Sequence, residues 1–150
     1  AQGERHVAGA LADDAALFET IRGTIEEAIS QAFSDLALSQ VAESWMAAVF
    51  ACNAYIDAQA PWALKKTDTE RMETVLATLY ICIAQLAVAI SPIIPASAEK
   101  LLDQMGIAPD IRTYKGIASH WYSPLAESDY RLAQPVGLFP RLEMPVDETV

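Results

Sequence analysis

Asn53-Ala-Tyr-Ile-Asp-Ala-Gln-Ala-Pro-Trp-Ala-Leu-Lys-Lys66 joins the end of one periodic apolar pattern to a proline, a tryptophan and two lysines. Upstream, Val41, Trp45, Ala48, Val49, Cys52 and Ile56 recur at spacings of three and four, the period of a helix with one buried face. Pro61 has no amide hydrogen to give a helix interior and biases Ala60 towards an extended conformation. The helix is therefore expected to stop there and to leave Trp62 at a corner. An indole so placed has two uses. It can fold back over the neighbouring helix as packing, or it can lie against a nucleobase, an interaction worth about 1–3 kcal/mol per base. Lys65 and Lys66 follow at once, where a phosphate could be met.

Outward from this corner the chain keeps a helical period on both sides. The helix that enters it starts near Ser39, a candidate cap. Before that, Asp13 and Asp14 open a first helix, their carboxylates suited to free amide hydrogens and to the positive end of the helix dipole. Leu17, Phe18, Ile21, Ile25, Ala28, Ile29, Ala32, Phe33 and Leu36 mark one face of it, and Gly23 is a soft spot costing roughly 1 kcal/mol relative to alanine. After the corner, Thr67-Asp-Thr-Glu70 has capping-box spacing. Met72, Val75, Leu76, Leu79, Ile83, Leu86 and Ile90 then form a stripe, and Tyr80, Ala84, Ala87 and Ala89 make the opposite face apolar too, so this helix should sit centrally. Pro92 and Pro95 break it; Pro95 begins a shorter helix that Gly106 ends.

These elements predict an all-α fold: a lead-in loop over 1–12, a helical bundle of four main helices over 13–106, and an irregular, partly extended tail over 107–150 that packs on the bundle, with Leu138 and Phe139 as apolar contacts. Hydrophobic residues make up 53% of the 150 positions, enough for a self-sufficient core. Formal net charge is −10, the wrong sign for a protein that grips nucleic acid through many phosphate contacts. RNA recognition here would have to be local and through bases. Cys52 and Cys82 lie within apolar stripes and read as small buried hydrophobes. No apolar run approaches the roughly 20 residues of a membrane span without polar interruption, and the start lacks a signal pattern. The chain is expected to be an excised piece of a longer protein.

Catalytic constellations do not emerge from the sequence. It has no phosphate-cradling glycine loop, no Cys-x-x-Cys and no His-Glu-x-x-His. His6 and His120 stand alone, Asp13-Asp14 and Glu26-Glu27 fall on helix starts or solvated faces, and no metal site or cofactor is expected in this piece. His120-Trp121-Tyr122 reads as an aromatic plug over the bundle.

Asn53, Tyr55, Ile56, Asp57, Gln59, Pro61 and Trp62 together match Asn-x-Tyr-[Ile or Val]-Asp-x-Gln-x-Pro-Trp, and the string resembles the helix junction in the C-terminal anticodon-binding domain of methionyl-tRNA synthetases. Pro92-Ile-Ile-Pro-Ala-Ser-Ala-Glu-Lys-Leu and the closing Leu138-Phe-Pro-Arg-Leu142 are similar to further stretches of that family, so the likeness covers most of residues 14–143. The resemblance implies that Trp62 stacks on an anticodon base and that Pro61 lines the same pocket. Asn53 and Asp57, four apart, contact RNA or merely bond the helix end; Lys65 and Lys66 are candidates for a phosphate. It also implies a parent enzyme that joins methionine to its tRNA with ATP and Mg2+ in the cytoplasm. Partners would be the methionine anticodon loop and the catalytic domain of the same chain, with no membrane and no DNA. The His-Ile-Gly-His-like and Lys-Met-Ser-Lys-Ser-like catalytic motifs of such enzymes are absent, so this piece is expected to bind without catalysing. The equivalent domain of a related class I synthetase (leucine, isoleucine, valine or cysteine type) and a helical protein-interaction module stay open as alternatives.

Overall fold

The computed structural model describes residues 11–120 and 132–139, which contain helix, turn and coil and no strand among them. The expected all-α bundle is what these residues form. α1 (Ala12–Gly23) runs without a break into a π-helical segment (Thr24–Ile29) and then α2 (Ser30–Ser34). The wider winding begins directly after Gly23, where helix propensity is weakest. It also suits the pattern: Ile21, Ile25 and Ile29 are spaced by four, which drifts around an α-helix of 3.6 residues per turn, and the change of winding keeps all three buried. Two members of the expected stripe are displaced. Ala28 is exposed, and Leu36, 84% exposed, lies past the end of α2 in the left-handed region. There Leu36 N–H donates to Phe33 O and Ala37 N–H to Ala32 O, a Schellman turn that carries the leucine off the buried face.

α3 (Leu38–Gln59) starts one residue before Ser39 and has no side-chain cap, so the serine does not take the expected role. Val41, Ala48, Cys52 and Tyr55 are buried on it. Trp45 is half-buried, its indole N–H donating to the Leu86 carbonyl at 2.9 Å. The corner that follows is tighter than expected, because Pro61 begins a new helix, α4 (Pro61–Thr67), at its first position. Ala60 is left-handed (φ 43°, ψ 62°) and not extended. Proline disfavours the right-handed helical region for the residue before it. The left-handed alternative lets Ala60 N–H donate to Ile56 O while Ala60 O accepts from Ala63 and Leu64, so one residue closes α3 and opens α4.

α5 (Thr69–Ile90) is capped by Asp68, whose Oδ1 accepts Arg71 N–H at 3.0 Å. Thr67, expected as the cap, is still in α4, where its hydroxyl donates to Ala63 O. As expected, α5 is central. Val75, Leu79, Cys82, Leu86 and Ile90 face a core shared with Leu17, Ile21, Ile25, Val41 and Ala48, while Tyr80, Ala84 and Ala87 face a second cluster with Leu102, Met105, Ile107 and Ile117. Leu76 and Ile83, placed on the stripe by spacing, are exposed, and Thr74 and Thr78 take buried positions with their hydroxyls bonded to Glu70 O and Thr74 O. By length and composition α5 is apolar enough to cross a membrane, with mean hydropathy 1.8 over an 18-residue window, although Thr78 and Gln85 interrupt it. That window is 67% buried inside the bundle, so its apolarity serves packing. Cys52 and Cys82 are buried free thiols, and Cys82 is pushed up in pKa by its hydrogen bond with Cys52 and by burial.

α6 (Pro95–Gln104) begins at Pro95, and Gly106 (φ 67°) ends it, as expected; Gly106 N–H donates to Asp103 O and Ile107 N–H to Leu102 O. Within the segment expected to be irregular, a 3-10 turn (Pro109–Ile111) and α7 (Tyr114–His120) form, and Ile117 is buried in the second cluster. Elements this short carry too few apolar residues to show a period. Residues 132–139 are non-helical, and they meet α6 through polar groups. Gln104 Nε2 donates to Val136 O at 3.0 Å while Val136 N–H donates to Gln104 Oε1 at 2.8 Å, and Lys100 Nζ reaches Gly137 O at 2.9 Å. Leu138 is half-buried but Phe139 is exposed, so the expected apolar contact is at most half made. His6, Trp121, Tyr122 and residues 140–150 lie outside the described residues.

Candidate nucleic-acid interface

The joint between α3 and α4 carries the six residues singled out from the sequence. Pro61 is buried, its fixed φ setting the start of α4, while Trp62, the next residue, is 61% exposed. The indole is therefore not folded back into the bundle. Lys65 and Lys66 are exposed three and four residues after Trp62, the spacings that share one face of a helix. Among the described residues neither lysine enters an ion pair. Asn53 and Asp57, four apart, are both exposed on α3, away from buried Cys52 and Tyr55. The joint thus offers an open aromatic face with two cations beside it on α4 and an amide and a carboxylate on α3. Such a set can stack on an unpaired base, meet a phosphate and satisfy base edges.

Beneath this open surface lies a polar assembly that the sequence did not suggest. Asp14, expected simply to cap the first helix, is 0% exposed. Its Oδ2 accepts Leu11 N–H at 2.7 Å and Arg71 Nη1 at 2.5 Å; its Oδ1 accepts Tyr55 Oη at 2.5 Å and Arg71 Nη2 at 2.8 Å. Arg71 Nη2 also donates to Gln59 Oε1 at 2.6 Å, and Gln59 Nε2 donates to Asp13 Oδ2 at 3.2 Å. Burial by itself would raise the Asp14 pKa, but the hydrogen bonds from Arg71, Tyr55 and the Leu11 amide outweigh it and hold the carboxyl below its ordinary value. The Tyr55 phenol is pushed up, by burial and by its bond to the Asp14 carboxylate. Arg71, close in sequence to Lys65 and Lys66, is turned inward, its side chain 11% exposed and its guanidinium held by Asp14 and Gln59, so it is not part of the open surface. A signal for this was present. Asp14 stands three before Leu17 and Arg71 four before Val75, so two opposite charges occupy the registers of buried stripes on different helices.

Of the matched string, Tyr55 and Gln59 thus face the protein, while Asn53, Asp57 and Trp62 face outward. Among the described residues, no group of three or more His, Cys, Asp or Glu side chains could hold a metal ion.

Comparison with known proteins points to one family. Residues 7–141 match the family model described as the anticodon binding domain of methionyl tRNA ligase. A methionine–tRNA ligase of Brucella suis is 37% identical over 129 residues, covering 85% of this chain and 24% of its own length. One from Rickettsia felis is 41% identical over 91 residues, covering 61% of this chain and 17% of its own. Among solved structures, the free-state apo form of Mycobacterium tuberculosis methionyl-tRNA synthetase superposes with a TM-score of 0.77 at 27% identity, over 91% of this chain and 27% of that one. The chain therefore spans about a sixth to a quarter of the length of these relatives. From the matched residues, the helical joint and these likenesses together, the chain belongs to the methionyl-tRNA synthetase family, as its anticodon-binding domain.

Proposed function

We propose that this domain binds the methionine anticodon loop of tRNA, and that it does so as part of a longer cytoplasmic synthetase that joins methionine to that tRNA with ATP and Mg2+. The observation that carries the proposal is the open indole of Trp62, set on a buried proline with two exposed lysines on the same helix face. Trp62 stacks on an unpaired loop base, Pro61 fixes its direction, Asn53 and Asp57 meet base edges, and Lys65 or Lys66 meets a phosphate. The surrounding acidity, a formal charge of −10, suppresses binding to RNA that lacks the right bases. Base stacking thus supplies affinity, the base-edge contacts supply selectivity on the base that stacking holds in place, and the lysines contribute a modest, salt-sensitive part.

The test is binding of anticodon stem-loops, the methionine anticodon against single-base variants. Trp62→Ala is expected to weaken the cognate loop by roughly tenfold to a hundredfold and to erase most of the discrimination. Equal binding to every loop, unchanged by the substitution, would instead favour a helical protein-interaction module.

A further inference from the structure

Between the open indole and the core lies a chain of polar contacts that ends at the joint itself. Gln59 is the last residue of α3, immediately before left-handed Ala60. Its side-chain Oε1 accepts from Arg71 of α5 at 2.6 Å, and Arg71 is in turn held by both oxygens of Asp14 of α1, at 2.5 and 2.8 Å. Tyr55, one turn earlier on α3, bonds the same carboxylate at 2.5 Å. The end of α3 is thereby tied at two places to one fixed group contributed by another helix. Among the described residues no such tie holds the start of α4 from the far side, where Trp62 and Ala63 are exposed.

We infer that Arg71, acting through Gln59, is a positioning residue for RNA binding: it fixes the last turn of α3 and so sets the direction in which Trp62 leaves the joint. This rests on Trp62 being the stacking residue proposed above. A non-glycine residue in the left-handed region is about 1–2 kcal/mol above its right-handed alternative, and it persists where its surroundings over-determine it. The guanidinium is suited to that role because its planar fork meets Asp14 with two donors and still reaches Gln59, which a lysine ammonium cannot do in the same plane. A ring pointed wrongly before binding must be reoriented during binding, and the affinity falls by the fraction of molecules that are competent.

The experiment is a double-mutant cycle on stem-loop affinity, combining Gln59→Met or Arg71→Lys with Trp62→Ala, beside 19F NMR of 5-fluorotryptophan-labelled protein. Gln59→Met is the milder variant, removing the acceptor at the edge of the assembly while leaving the Asp14–Arg71 pair. Each of the two is expected to weaken binding about tenfold when Trp62 is present and by less than about twofold when it is alanine. The Trp62 resonance should shift or broaden in Gln59→Met while that of Trp45, bonded to Leu86 O, stays in place. Equal losses in both backgrounds, or no loss at all, would overturn the positioning role. If Trp62→Ala alone leaves affinity unchanged, the stacking assignment fails first and this inference falls with it, a result the single mutant reports separately.

Discussion

Three helix ends among the described residues use the left-handed conformation, at Leu36, Ala60 and Gly106, and the last two differ in which residue adopts it and in what supports it. At the end of α6 the residue is Gly106, which adopts φ 67° without steric penalty, and the turn closes through its own backbone bonds while Ile107 is buried behind it. At the end of α3 the residue is Ala60, which pays for φ 43° in clash with its own Cβ, and the joint is secured by side chains from α1 and α5. The first joint needs no strained residue, and Tyr80 Oη on Met105 O and Arg112 on Ile107 O add neutral or one-sided side-chain bonds to it. The second depends on a buried ion pair between residues fifty-seven positions apart in the chain. A joint supported from outside can hold a side chain in a direction that local preference alone would not give, and Trp62 is the side chain that follows it.

The sharpest way to break the contrast is to remove the outside support. Asp14→Ala leaves the Arg71 guanidinium buried without its counter-charge and Tyr55 without its acceptor, and breaking a pair of this kind costs about 3–5 kcal/mol. Urea unfolding should show a loss of unfolding free energy of that size. A loss under about 1 kcal/mol would mean that water or a neighbouring acceptor replaces the carboxylate, and the two joints would then not differ in the way described.

Acid acts on the same group. The Asp14 pKa lies below its ordinary 3.8 in the folded protein, so the unfolded chain takes up the proton first as pH falls. The stabilisation is therefore complete above about pH 5 and is lost progressively as pH drops past the ordinary carboxylate range towards the lower folded value. Asp14→Asn should be less stable at neutral pH and should lose part of the acid dependence, its unfolding midpoint varying less between about pH 4 and pH 2 than that of the native protein. An unchanged slope would assign acid sensitivity to other carboxylates.

How much of this could be read from the chain follows from range. The long stripes on α3 and α5, the proline that opens α6 and the glycine that closes it are local patterns, and each appears where period and turn chemistry place it. Leu36 departs from its stripe because α2 has already ended in a turn, and Leu76 and Ile83, seven apart within the unbroken α5, lie at the edge between its buried faces, which spacing does not record. The outward set at the joint, Asn53, Asp57, Trp62, Lys65 and Lys66, was legible because exposure follows from helical phase relative to a buried stripe. The support beneath it was not, since Asp14 and Arg71 meet only after three helices have packed, and their stripe registers mark two buried charges without saying that these two pair.

The smallest effects come from exchanging the two joint residues. Gly106→Ala should cost about 1–2 kcal/mol, because a Cβ is placed where only glycine is at ease, and it should leave stem-loop affinity untouched. Ala60→Gly relieves a similar strain but adds freedom to the unfolded chain worth roughly half as much, so a net gain near 0.5 kcal/mol is expected in urea unfolding. Its effect on RNA is the more informative quantity. If Gln59 and Arg71 set the angle of the joint, the glycine variant binds within about twofold of the native protein, because the support survives and only local strain is gone. If the alanine itself sets the angle by excluding nearby backbone conformations, glycine frees the corner and affinity falls despite the gain in stability. The sign of the affinity change against the sign of the stability change therefore separates a corner held from outside from one held by its own residue.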